Sequence, residues 1–73
     1  MAKLPSVRFR EALKTFEAFG WSQSRQSGSH VVLTKEGEIA SLSLPVHDPI
    51  AKGTLRSLIR AAGLTVDEFV NAL

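Results

Sequence analysis

The sequence contains no cysteine. A disulfide staple, a thiolate nucleophile and a cysteine-ligated zinc are therefore excluded, and the composition fits a reducing compartment. No apolar run approaches the ~20 residues that a membrane span needs. The start, MAKLPSVRFREALK, has no apolar stretch after its first lysine, so it is not expected to act as a secretory signal. The two histidines lie 17 residues apart, and no HExxH pattern or cluster of carboxylates accompanies them. Neither a metal site nor another cofactor is expected. A phosphate-binding GxxxxGK[ST] loop is also missing. At 73 residues the chain is expected to form one domain, residues 1–73. That leaves no room for a multi-substrate enzyme with a deep cleft and lid. A cytoplasmic protein with no membrane partner is the expectation.

The charge of one sign that would demand a nucleic-acid partner is also lacking. Nine Lys and Arg face seven Asp and Glu, a formal net charge of +2. Basic groups outnumber acidic ones at both ends, by four to two over residues 1–20 and by three to two over residues 52–73. A basic face is possible if these groups converge.

What is present is strongly periodic. Phe9, Ala12, Leu13, Phe16 and Phe19 recur at helical spacing after Pro5 and Ser6, with Ser6 as the expected N-cap and Gly20 as the stop. A first helix over about 7–19 follows. Three strands are expected next, Trp21–Arg25, Ser29–Thr34 and Glu38–Leu44. Gln26-Ser27-Gly28 and Lys35-Glu36-Gly37 serve as their turns, and Pro45 as the terminator. Leu55, Leu58, Ile59 and Ala62 define a second helix from Lys52 or Gly53 to Gly63. Thr65 and Glu68 form a capping box for a short third helix running from about 66 to the end. The order α-β-β-β-α-α implies an α+β fold, a three-stranded antiparallel sheet with helices on one face. Alternation puts Val31, Leu33, Ala40, Leu42 and Leu44 on the core face, and His30, Val32, Thr34, Ser41 and Ser43 on the other. A slip of one residue would reverse that assignment. Phe9, Phe16 and Phe19 read as core residues, and Trp21 as a core edge.

Two groups of residues can carry chemistry. Gly28-Ser29-His30 combines a conformationally free glycine with a side chain that moves protons near neutrality. Taken alone it equally describes a turn followed by a strand histidine. The second group is His47-Asp48 in a loop leading to Lys52, Gly53 and Thr54 at a helix start, with Arg56 one turn on. Free N–H groups, a lysine and a hydroxyl there suit a phosphate. The alternative is an ordinary capped helix with solvated cations.

Gly20-Trp21, Gly28-Ser29-His30, Leu44-Pro45-x-His47, the run KGTLRxLIRxAGLT from Lys52 to Thr65, and Asp67-Glu68-Phe69 together resemble the HicA toxin family. Its members are small mRNA interferases of type II toxin–antitoxin modules. The resemblance covers about residues 10–70, and KGTLRxLIRxAGLT is its more specific part. It implies a dsRBD-like α-β-β-β-α fold, extended here by a short C-terminal helix. It also implies an RNA-cleaving enzyme without a metal requirement, with His30 as the catalytic residue and a HicB-like antitoxin as partner. Gly28, Ser29, Lys52, Gly53, Thr54 and Arg56 are the expected RNA contacts, and His47 is a possible second proton carrier. One departure is visible. Val31-Val32 follows the motif histidine where many members carry a polar or aromatic residue, which bears on details of RNA contact. A non-catalytic RNA-binding or protein-interaction domain of the same fold is the alternative. A DNA-binding helix-turn-helix is disfavoured by Asp67 and Glu68 in the first turn of the last helix.

Overall fold

A computed structural model describes residues 3–73. Its elements are α1 (Phe9–Ala18), β1 (Ser22–Ser27), β2 (His30–Thr34), β3 (Leu42–Pro45), α2 (Lys52–Ala61) and α3 (Val66–Asn71). The strands form one antiparallel sheet in the order β1-β2-β3. The helices cover one face, with α1 and α2 both packed on β3. The fold is α+β and dsRBD-like, as expected.

Helix α1 starts two residues later than an N-cap at Ser6 would place it, and Ser6 does not cap it. Val7 is buried instead, and its carbonyl accepts the Ile50 N–H at 2.9 Å, which keeps residue 7 out of the helix. Arg8 is the N-cap, and its N–H donates to Glu11 Oε1 at 3.0 Å. The Phe9 N–H donates to Asp48 Oδ1 at 2.7 Å. Two acids thus satisfy donors that an N-cap hydroxyl would otherwise take. At the other end the Gly20 N–H reaches Glu17 O and the Trp21 N–H reaches Phe16 O, each within 3.1 Å. This is the paired Schellman pattern. It needs a left-handed residue, and Gly20 supplies it at φ +98°. The same pattern closes α2 at Gly63.

The sheet differs from expectation in three places. β1 is displaced, running from Ser22 to Ser27, so its turn is Gly28-Ser29 and not Gln26-Ser27-Gly28. β3 begins only at Leu42. A turn does form at Lys35–Glu38, with the Glu38 N–H on Lys35 O at 3.0 Å, but residues 39–41 continue as loop. Leu33 pairs with Leu42 and Val31 with Leu44. A tight hairpin at the same turn would have paired Leu33 with Ala40. The observed ladder is offset from that by two residues. A shift of two keeps every side chain on its face, so Leu42 and Leu44 stay buried while Ala40 falls outside the ladder and is exposed. Ile39, beside it, is fully solvent-exposed. The third difference is a bulge. Gln23 pairs with Leu33 but Arg25 pairs with Val32, leaving Ser24 as the extra residue.

The buried side chains form one cluster drawn from every helix, from β2 and β3, and from the segments around them. Phe16 and Phe69 meet at its centre with ring centroids 5.1 Å apart. That contact ties α3 to α1. Phe9, Leu13 and Phe19 flank the cluster and are only partly buried. Trp21 lies fully inside it, not at its edge, and its Nε1–H has no acceptor among the described residues. The expected capping box holds α3 in place. The Thr65 N–H donates to Glu68 Oε1 at 2.9 Å, and the Glu68 N–H to Thr65 Oγ1 at 3.1 Å. No described helix is long and apolar enough to cross a membrane.

Candidate functional site

The hairpin between β1 and β2 sets the position of His30. Ser27 pairs with His30 across the two-residue loop Gly28-Ser29. Gly28 has φ +58° while Ser29 does not have positive φ. Positive φ at the first loop position alone is the sign pattern of a type II′ hairpin turn, which demands glycine there. His30 is therefore the first residue of β2, exposed, with its Nδ1 3.4 Å from Ser29 Oγ.

On its other side His30 pairs with Pro45. The flanking ladder bond runs from the Val46 N–H to Ser29 O at 2.7 Å. His30–Pro45 is thus a non-hydrogen-bonded pair, the kind that brings side chains closest and needs no N–H from either member. Proline fits this position for that reason. Val31, Leu33, Leu42 and Leu44 bury the helical side of the sheet. His30 and Pro45 consequently sit on the open side, together with Ser27, Val32 and Ser43.

The hairpin adds a residue that sequence patterning missed. The pairs Ser27–His30, Gln26–Val31 and Arg25–Val32 run without a break from the turn, so Arg25, two residues before Ser27, stands on the face of His30. The bulge at Ser24 lies beyond Arg25 and rephases only Gln23 and Ser22. The run SQSRQS has no apolar residue, so alternation assigned it no face.

Past Pro45 the chain enters a cleft of about 590 Å³. Arg8, Phe9 and Arg10 form one wall, and Val46, His47 and Asp48 the other. His47 Nδ1 lies 3.0 Å from Pro49 O. A carbonyl can only accept, so Nδ1 carries the proton and the neutral ring keeps its lone pair on Nε2.

The start of α2 is exposed at Lys52, Gly53 and Thr54. Its N-cap is Ala51, which offers no side-chain acceptor to the first helical N–H groups. A Cβ at Gly53 would meet nothing within 4 Å, so open space lies beside it. No hydrogen bond joins Lys52, Thr54 or Arg56 to His30 among the described residues. Arg56 lines a separate, smaller cleft with Ile59, Arg60 and Val66, between α2 and α3. The chain therefore brings together Gly28, Ser29 and His30. It places His47 in the adjoining cleft, and leaves Arg56 on another surface. Among the described residues no group of three or more His, Cys, Asp or Glu is arranged to hold a metal.

The model of the HicA toxin of bacterial toxin–antitoxin systems matches residues 9–64. A solved structure described as a toxin–antitoxin complex from Streptococcus pneumoniae contains a similar chain. The two share 33% sequence identity and a TM-score of 0.70, over 82% of this chain and 100% of that one. No curated protein matches. More than half of the chain, including the hairpin with His30 and the whole of α2, lies within the family match, and the chain belongs to the HicA toxin family.

Proposed function

We propose that this HicA-family chain is an mRNA-cleaving toxin, a metal-independent endoribonuclease with His30 as its proton carrier. The observation that carries this reading is the position of His30. It is exposed on the open sheet face, at a glycine-dependent turn, away from the helices that form the core. A histidine kept only for packing has no reason to be there.

RNA supplies its own nucleophile, the 2′-OH, so the protein has to move protons and stabilise charge. His30 takes the 2′-OH proton as the 2′-oxygen bonds to phosphorus. The P–O5′ bond then breaks, leaving a 2′,3′-cyclic phosphate and a 5′-hydroxyl, whose oxygen needs one proton. His47, with its Nε2 lone pair uncommitted, supplies that proton once it has itself been protonated. Proton transfer of this kind is worth about 10²–10⁴-fold. Gly28 and Ser29 hold the backbone beside His30. Lys52 and the uncapped N–H groups near Gly53 and Thr54 take a neighbouring phosphate, as helix N-termini do. Arg56 contacts the strand further along. Shape and phosphate contacts of this sort position RNA without reading its sequence.

The partner of this reading is a HicB-like antitoxin that covers the open face, and the toxin–antitoxin assembly of the Streptococcus pneumoniae relative supports it. The place of action is the cytoplasm, where mRNA is translated. The test is cleavage of a long mRNA by purified protein in EDTA, with His30→Ala in parallel. Cutting by the wild type alone supports the proposal. Binding of RNA without cutting by either protein favours the non-catalytic RNA-binding reading instead.

A further inference from the structure

The open face of the sheet is almost without charge. Its paired positions are Ser22, Arg25 and Ser27 on β1, His30, Val32 and Thr34 on β2, and Ser43 and Pro45 on β3. Arg25 is the one permanent cation among them, and no carboxylate accompanies it. It is exposed and makes no hydrogen bond or ion pair among the described residues. It is on this face because it lies two residues before Ser27, in a run of pairs unbroken from the turn.

We propose that Arg25 is a phosphate-binding residue of the catalytic face, holding the scissile phosphate beside His30. This rests on the ribonuclease reading above. Ser27 is directly opposite His30, and Arg25 is two residues before Ser27 on the same face. Diagonal cross-strand neighbours lie about 7–8 Å apart, within reach of a long side chain. A phosphate whose neighbouring ribose 2′-OH lies against the imidazole therefore falls within the span of the guanidinium. The fork of an arginine suits two phosphate oxygens at once. As the 2′-oxygen attacks, negative charge accumulates on those oxygens, and a fixed cation there lowers the barrier. Arg25 takes no proton in the step. Ser27 Oγ, between the two, offers a further donor to the same phosphate.

An edge-strand arginine also discourages edge-to-edge pairing. That role asks only for a charge somewhere on the strand. It does not ask that the charge stand on the same face as His30 and diagonal to it, and the experiment separates the two roles.

Arg25→Gln, Arg25→Lys and the remote control Lys14→Gln are compared in two assays. The first is mRNA cleavage, resolved into kcat and KM. The second is binding of an RNA oligonucleotide made uncleavable by 2′-deoxy substitution, followed through the His30 ring proton resonances. Arg25→Gln is expected to lower kcat by about 10²-fold, the loss typical of one transition-state donor. It is also expected to shrink the His30 shift at saturation. Arg25→Lys recovers part of both, and Lys14→Gln changes neither. Cleavage by Arg25→Gln within twofold of wild type overturns the proposal. If the wild type itself does not cut, the ribonuclease reading fails on its own, and the binding assay still decides for Arg25. Unchanged affinity and an unchanged His30 shift in Arg25→Gln then overturn its assignment as a phosphate-binding residue.

Discussion

Asp48 Oδ1 accepts the backbone N–H of Phe9 at 2.7 Å, so a loop acid caps a helix that begins 39 residues earlier in the chain. The neighbouring bond from the Ile50 N–H to Val7 O, 2.9 Å long, fixes the same loop from its other end. His47 lies directly beside them in sequence, one residue before the acid. The cap and the loop that carries the second candidate proton carrier are therefore one unit.

Asp48→Ala should cost about 0.5–2 kcal/mol, the range for losing an N-cap acceptor. Asp48→Asn keeps an acceptor and should cost less than half of that. Urea titration followed by the fluorescence of the single, buried Trp21 measures both. Equal stability of wild type and Asp48→Ala would show that the bond contributes nothing.

The Phe16–Phe69 pair should be the most sensitive point of the core. Removing either ring costs about 3–5 kcal/mol in a buried site. A domain of this size has a total margin of about the same magnitude. Phe16→Ala is expected to be largely unfolded at 25 °C by circular dichroism. Phe16→Leu should remain folded with a lowered Tm.

Gly28 tests backbone strain without crowding. A Cβ there would meet nothing within 4 Å, so φ +58° is the whole cost of a side chain. Gly28→Ala should lose about 1–2 kcal/mol. Gly28→Asn should lose about as much, since the first position of a type II′ turn lies outside the left-handed α region that asparagine tolerates. If asparagine proves clearly less costly than alanine, the turn geometry assigned to this hairpin is wrong.

The two histidines should separate in kinetics. His30→Ala removes the general base and should reduce mRNA cleavage by at least about 10²-fold. His47→Gln should lower kcat less. A larger loss in His47→Gln than in His30→Ala would exchange their roles.

The elements that were legible in the sequence are those with their own local signals. The Schellman glycines at 20 and 63, the Thr65–Glu68 box and the apolar stripes of α1 and α2 all act within a few residues of where they are read. The open-face placement of His30 also followed from alternation, because the β3 ladder differs from a tight hairpin by an even number of residues. What was not legible depended on distant or featureless chain. Ser6 is a good cap by type, but the donor it would serve is taken by Asp48, which no local rule connects to it. Arg25 was missed because an all-polar strand shows no alternation from which its face can be read.

The family match and the folding unit do not have the same limits. The matched stretch, residues 9–64, omits Leu4, Val7 and Phe69, all buried. It also omits the carbonyl that receives Ile50 and the residues that cap the last helix. A fragment excised at those limits would keep His30, Arg25 and the clefted loop yet lose the ring that packs on Phe16. Its failure to cut RNA would then report a missing scaffold, not a missing active group.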